Sequence, residues 1–315
     1  MRQLKISPAL FLCLLVLAAP AKAALLELAL IIDGSSSISG PAGNSPGPDW
    51  DLQIGAYQSI FQNNFYTNVI QPSGFNEIAV AAYVFSAVSG SIEITDGGTP
   101  PTVLETVNFD VVVTSFLPWT RISNDQDAAD FGALFAGLPQ PGGQTNTSEA
   151  LSIATGGGTA GCPGSQLFPS LNPVLPFCNI AEQTIPGILN NGIDGDRMVI
   201  DISTDGVPTE PNGNGTPNPL DDQLALDAAD AARAAGITVN ALGVGGVDAT
   251  FLTALVGQNP ASSPEGFFLT ADSFAQFEAT LTNKLNQEVG VVPLPAALPL
   301  LLSALAGLGF WRRRR

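Results

Sequence analysis

The chain of 315 residues has no histidine, three cysteines and only 11 lysines and arginines. Without histidine there is no Ser-His-Asp triad, and the commonest zinc and copper ligand is gone. A metal site in this chain must therefore draw mainly on hard oxygen donors, which suit Mg²⁺, Mn²⁺ or Ca²⁺. Scarce positive charge excludes a second set of functions. Against 28 acidic residues the formal net charge is −17, and such a surface repels nucleic acid and anionic membranes.

Most of the positive charge lies at the two ends. Arg2 and Lys5 precede an apolar run, Ala9 to Ala19, and Ala21-Lys22-Ala23 fits a small-x-small cleavage site. Residues 1–23 therefore read as a secretory signal. At the other end, Val292-Pro293-Leu294-Pro295-Ala296 leads into an apolar stretch closed by Trp311 and four arginines, Arg312, Arg313, Arg314 and Arg315. The stretch is slightly short for a spanning helix, and Pro299 interrupts it. The arginines would hold the C-terminus on the cytoplasmic side. Between the ends only Arg121, Arg197, Arg233 and Lys284 remain basic. All 28 acidic residues also lie there, which gives a net charge of about −24. That region attracts divalent cations and suits a salty extracellular setting.

The same region holds two of the cysteines, Cys162 and Cys178. An even count in an exported chain favours a disulfide. Closing that short loop would contribute roughly 3 kcal/mol in the chain-entropy model. Two free thiols are the alternative.

Residues 24–290 read as one domain of alternating strands and helices. Leu25 to Ile32 is a buried strand that runs into Asp33, and a Gly/Pro/Ser-rich insertion follows near 40–48. Trp50, Ile54, Tyr57 and Phe61 recur at helical spacing. Ile78 to Phe85, Ser91 to Thr95 and Val111 to Phe116 read as three strands. Asp125 to Leu138 is a helix, and Gly142-Gly143 turns the chain into Thr145 and a helix from about Ser148, with Thr147 as its cap. A second insertion, near 155–190, carries both cysteines. Met198 to Ser203 is a strand ending at Asp205. Asp221 to Ala235 is a helix closed by Gly236. Ile237 to Val244 is a strand, Asp248 to Val256 a helix and Phe267 to Leu269 a strand. Phe274, Phe277, Leu281, Leu285 and Val289 mark an amphipathic last helix. This order predicts an α/β fold: a doubly wound, mostly parallel sheet with helices on both faces. Ligands in such sheets gather beyond the carboxyl ends of the strands. Asp33 and Asp205 both follow strands, so both belong on that edge.

Three distant stretches carry the candidate site: Asp33-Gly34-Ser35-Ser36-Ser37, Gly143-Gln144-Thr145-Asn146-Thr147 and Ser203-Thr204-Asp205-Gly206. Together they offer two carboxylates and three hydroxyls. The pattern resembles the metal-ion-dependent adhesion site of von Willebrand factor A domains: D-x-S-x-S, a distant threonine, and an aspartate in a T-D-G turn. The resemblance implies that Asp33, Ser35, Ser37, Thr145 and Asp205 hold Mg²⁺, or Mn²⁺ or Ca²⁺. It also implies a protein partner whose carboxylate completes the shell. Trp50-Asp51-Leu52-Gln53, Pro118 to Ile122, Val199 to Ser203 and Ala235 to Asn240 resemble, more narrowly, an uncharacterised subgroup of bacterial secreted A-type domains. The C-terminal segment, 291–315, resembles the Pro-Glu-Pro class of sorting signals in its Val-Pro-Leu-Pro-Ala variant. That likeness implies an exosortase-like processing enzyme; an ordinary single-pass anchor is the alternative.

These readings point to an exported, transiently membrane-anchored protein of the cell surface or extracellular matrix, in contact with the membrane only through its C-terminal segment. It would bind and not catalyse. A structural matrix protein without metal-dependent binding is the second reading. A metal-assisted hydrolase with Asp33 as nucleophile is the third, and it lacks any basic residue beside the motif to hold phosphate. Asp194-Gly195-Asp196 and Asp221-Asp222 read equally as calcium ligands or as a solvated turn and a helix N-terminus. Asp201, between Ile200 and Ile202, reads as a satisfied core acid or as a partner of the site.

Overall fold

The run Leu25–Asp33 is apolar almost without a break, and all nine of its residues are buried, as expected of a strand covered on both faces. It forms β1, the centre of the fold. The computed structural model describes residues 24–39, 47–95, 103–160, 183–206, 208, 219–258 and 263–290. Residues 24–290 form one unit. The signal and sorting segments, Cys162 and Cys178, and most of the 40–48 insertion lie outside the described residues. Among the described residues no helix is long and apolar enough to cross a membrane.

Around β1 stand β2 (Glu77–Thr95), β3 (Val103–Ile122), β4 (Gly158–Ala160), β5 (Gln183–Ile185), β6 (Arg197–Thr204), β7 (Thr238–Val244) and β8 (Phe268–Ala271). They make one sheet in the order β5-β4-β3-β2-β1-β6-β7-β8. Pairing is parallel except for β2 with β3 and β4 with β5. The expected doubly wound, mostly parallel sheet is present. The chain steps from β1 to β2 on one side and later to β6 on the other, so the strand order reverses at β1. That reversal opens a crevice at the carboxyl end of β1.

The helices are α1 (Pro48–Gln62), α2 (Asp125–Ala133), α3 (Thr147–Gly156), α4 (Pro219–Ala234), α5 (Ala249–Leu255) and α6 (Phe277–Val289). One core joins Ala29, Ile31, Ile200 and Ile202 of the sheet to Leu151 of α3, Ala229 of α4 and Leu252 of α5. Strand alternation turns Asp201 and Ser203 to the other face. There α1 and α6 pack: Tyr57 donates to Ser203 Oγ and meets Phe277 edge-on, while Phe61 meets Phe131 of α2. Burying each such ring contributes about 1.5–3 kcal/mol.

Several boundaries differ from the sequence reading. Ile78 to Phe85 and Ser91 to Thr95 are one strand, β2, paired along its length with β3. Ser86, Ala87, Ser89 and Gly90 break the apolar pattern without breaking the ladder, because backbone pairing does not need apolar side chains. A bulge at Phe85/Val88 takes up the change of register. Helix α2 ends at Ala133, and Leu134 to Gly137 form turns. The 155–190 insertion is less of a surface excursion than expected: its flanks form β4 and β5, and Ile185 and Ile188 lie in the core. Thr147 is not the cap of α3. Asn146 is, accepting from Glu149 N at 3.1 Å.

Candidate metal centre

Asp33 is the last residue of β1 and is fully buried. The chain then turns sharply into a single helical turn, Ser36–Ser39. Asp33 Oδ1 accepts from Ser35 N at 2.9 Å and Oδ2 from Thr204 Oγ1 at 2.7 Å, while its main-chain oxygen accepts from Gln53 Nε2 at 3.0 Å. Ser35 Oγ lies 2.9 Å from Ser37 Oγ, and Ser37 Oγ donates to Asp205 Oδ1 at 2.7 Å. One chain of hydrogen bonds thus runs from Asp33 through both serines to Asp205, whose segment is 168 residues from Ser37 in sequence.

The Thr145 segment docks on this turn through its backbone. Gly142 N donates to Gly34 O, Ser36 N to Gly143 O, and Gly143 N to Ser36 Oγ, all within 2.8–2.9 Å. Gln144 pairs with Ala87 of β2 in both directions. Gly142 and Gly143 have φ of 69° and 82°, a left-handed region that favours glycine. A Cβ at Gly34 would stand 2.5 Å from Pro141 Cδ, so a side chain there would push this segment away. Thr145 follows the docked loop directly and is buried.

The structure therefore gathers Asp33, Ser35, Ser37 and Asp205 by side-chain contact and brings Thr145 to the same turn through its backbone. Sequence reasoning missed Thr204 and Gln53, the two side chains that hold Asp33. Gln53 carried a signal: it is a polar residue on the buried face of α1, among Trp50, Ile54 and Tyr57.

The electrostatics fit a cation. Burial, and then the charge of Asp205, push the Asp33 carboxyl up to about 7 against the hydrogen bonds from Thr204 and Ser35. Burial also raises Asp205. Two carboxylates held this close resist joint ionisation, and a divalent ion would remove the conflict. The donors are carboxylate and hydroxyl oxygens, the hard set. Among the described residues no three His, Cys, Asp or Glu side chains gather for a metal. A cavity of about 440 Å³ opens beside the site, lined by Ser37, Asp49, Leu52, Asp205, Asp272 and Phe274 among others.

The other acidic candidates stand outside this chain of hydrogen bonds. Asp196 accepts from Leu25 N and Gly195 N donates to Glu27 Oε1, which ties that turn to the start of β1. Asp221 and Asp222 sit in the first turn of α4. Asp201 pairs with Lys284 in the core. Trp50 and Trp119 are packing residues whose indoles donate to Leu138 O and Pro186 O.

Residues 181–292 match a family model described as a protein of unknown function, DUF1194. No curated protein matches significantly. Among solved structures, the pilus adhesin SpaC from Lactobacillus rhamnosus GG is 17% identical with a TM-score of 0.46, covering 85% of this chain and 31% of the adhesin. Proximal thread matrix protein 1 from the mussel byssus, solved with a zinc-occupied MIDAS motif, is 16% identical with a TM-score of 0.41, over 85% and 46%. The SpRpn10 VWA domain is 15% identical with a TM-score of 0.40, over 85% and 100%. This chain thus spans about a third of the adhesin and under half of the thread protein.

Proposed function

We propose that residues 24–290 are a von Willebrand factor A-type binding domain. Asp33, Ser35, Ser37, Thr145 and Asp205 would hold one divalent cation, Mg²⁺ foremost, and the domain would bind a carboxylate of a protein partner. The observation that carries this reading is the hydrogen-bonded chain from Asp33 through Ser35 and Ser37 to Asp205, set at the reversal of strand order. When bound, the cation supplies a coordination position for an anionic oxygen. The residues do the rest. Thr204 and Ser35 N fix the Asp33 carboxylate, Gln53 fixes the end of β1, and the glycine pair seats the Thr145 loop. Neutral hydroxyls leave much of the cation's charge uncancelled, which favours an acidic ligand. The reading is one of adhesion or surface assembly and not of catalysis.

The two chain ends support export. The Met1 to Ala23 signal directs the chain outward, and Val292 to Ala296 with Arg312 to Arg315 fit a sorting signal cut by an exosortase-like enzyme. The partner, the cell-surface location and the processing are parts of the same proposal.

Calorimetric titration of the exported protein with MgCl₂, MnCl₂ and CaCl₂ tests the site. Saturable one-to-one binding, lost in Asp205→Ala, is expected. A pull-down from the producing cell's surface fraction should then lose its partner on addition of EDTA. No titratable cation would leave the structural matrix reading in place.

A further inference from the structure

Three ionisable side chains are fully buried on the face of the sheet that α6 covers: Asp201 of β6, and Lys284 and Glu288 of α6. The Lys284 ammonium donates to Asp201 Oδ1 and to Glu288 Oε1. Asn240 of β7 adds a bond to Glu288 Oε1 at 2.8 Å. The second oxygens, Asp201 Oδ2 and Glu288 Oε2, are buried without a hydrogen-bond partner. Arg197 gives its guanidinium to the main-chain oxygen of Glu288 at 2.6 Å and not to the carboxylate. Tyr57 of α1 faces both acids but donates to Ser203. The Phe267 ring lies 5.7 Å from the Lys284 ammonium.

Two carboxylates therefore share one buried ammonium. If all three were ionised, a net negative charge would sit in the core with two bare oxygens. Burying an uncompensated charge costs several kcal/mol, and a carboxyl in that position takes up a proton instead. Glu288 is the group placed to take it, because its carboxyl receives bonds only from a neutral amide and a lysine already engaged with Asp201, while the Arg197 guanidinium reaches its main-chain oxygen and offsets the charge only in part.

We propose that the Asp201–Lys284–Glu288 cluster is a proton-operated latch, which holds the terminal helix α6 to the sheet while Glu288 is protonated and loosens it when that proton is lost. Helix α6 is the last described element before the chain runs on to Val291, so the latch governs how firmly the C-terminal end of the domain is tied down. It does not depend on a cation at the Asp33 site. Burial, and then Asp201, push Glu288 up to about 8, in agreement with this geometry. A carboxyl raised in the folded state stabilises most below its ordinary value, and that contribution is lost as pH rises through the raised one. With no histidine in the chain, little else titrates between about pH 6 and 8. Asp33 does, near 7, at the far edge of β1.

Two measurements on the full exported protein decide the matter. Infrared spectroscopy of the wild type should show a protonated buried carboxyl that disappears with a midpoint near 8, distinct from the Asp33 proton near 7. Hydrogen exchange should show the opening of residues 277–289 rising up to about tenfold per pH unit between pH 6 and 8, after correction for intrinsic exchange. Glu288→Gln keeps the shape and the bonds to Lys284 and Asn240, so it should abolish the component near 8 and flatten the exchange profile. A wild-type spectrum with no component near 8 overturns the latch. So does an E288Q profile with the wild-type slope.

Discussion

Thr204 shows what a single hydroxyl does here. Its Oγ1 donates to Asp33 Oδ2, and it also receives a bond from Gly206 N, so it links the carboxylate to the turn that carries Asp205. Removing it would free the Asp33 carboxylate to rotate and would loosen the second aspartate. Groups that orient a metal ligand typically change affinity by about 10–100-fold when lost. Thr204→Val, which keeps the shape, should weaken Mg²⁺ binding by that factor in calorimetry while leaving the far-ultraviolet circular dichroism unchanged. Unaltered affinity would mean that Asp33 is held by Ser35 and Gln53 alone. At this scale the sequence was informative about the residues that display a motif and silent about those that hold it. Asp33, Ser35, Ser37 and Asp205 stand in recognisable turns. Thr204 stood inside the quoted stretch, but nothing in a one-dimensional pattern says which neighbouring hydroxyl points at the carboxylate.

Helices and strands in this fold are fastened by ion pairs of very different value. The Arg121–Glu77 pair joins β3 to β2 at a half-exposed site, where such pairs contribute about 0–1 kcal/mol. The Lys284 pairs are buried completely, and removing the ammonium would leave Asp201 and Glu288 in the core without their shared partner. Lys284→Met should therefore destabilise the protein by about 3–5 kcal/mol in urea unfolding, while Arg121→Met should shift it by less than about 1 kcal/mol. Equal effects would mean that the buried carboxylates find a proton at no cost. The elements themselves were largely legible, because a strand buried on both faces, such as β1, or an amphipathic helix, such as α6, imposes its period on the sequence. The cross-links between elements were not. Lys284 lies on the buried side of α6 where the apolar stripe predicts a hydrophobe, and only the approach of Asp201 from β6 explains it. The continuous β2 was misread for the converse reason: its outer half is paired through backbone groups, which leave no side-chain signature. The roles of β4 and β5 were hidden because three-residue strands are too short to show alternation.

For the whole molecule, charge decides how the cation and the fold depend on each other. The body between the two ends carries about −24 in formal charge, and the candidate site brings two of its carboxylates together, buried Asp33 and half-buried Asp205. With Asp33 raised to about 7, the metal-free protein binds a proton there that the unfolded chain does not hold. Its stability from this group is full below the ordinary aspartate value and is lost as pH rises through about 7. A cation competes with that proton, so its apparent affinity should fall about tenfold for each pH unit below 7 and level off above it. Ligand linkage then sets the thermal behaviour: at a free concentration near a hundred times the dissociation constant, Mg²⁺ should stabilise the fold by about 2.7 kcal/mol. Both trends act in one direction. The difference in melting temperature between Mg²⁺-loaded and EDTA-treated protein should be small at about pH 5.5 and should widen to about pH 8. Glu288 titrates in both forms, so subtraction removes its contribution. Melting temperatures that differ by the same amount across this range would show that Asp33 does not take part in binding the ion. Differences that vanish at every pH, in a protein that still folds, would remove the cation from the site altogether.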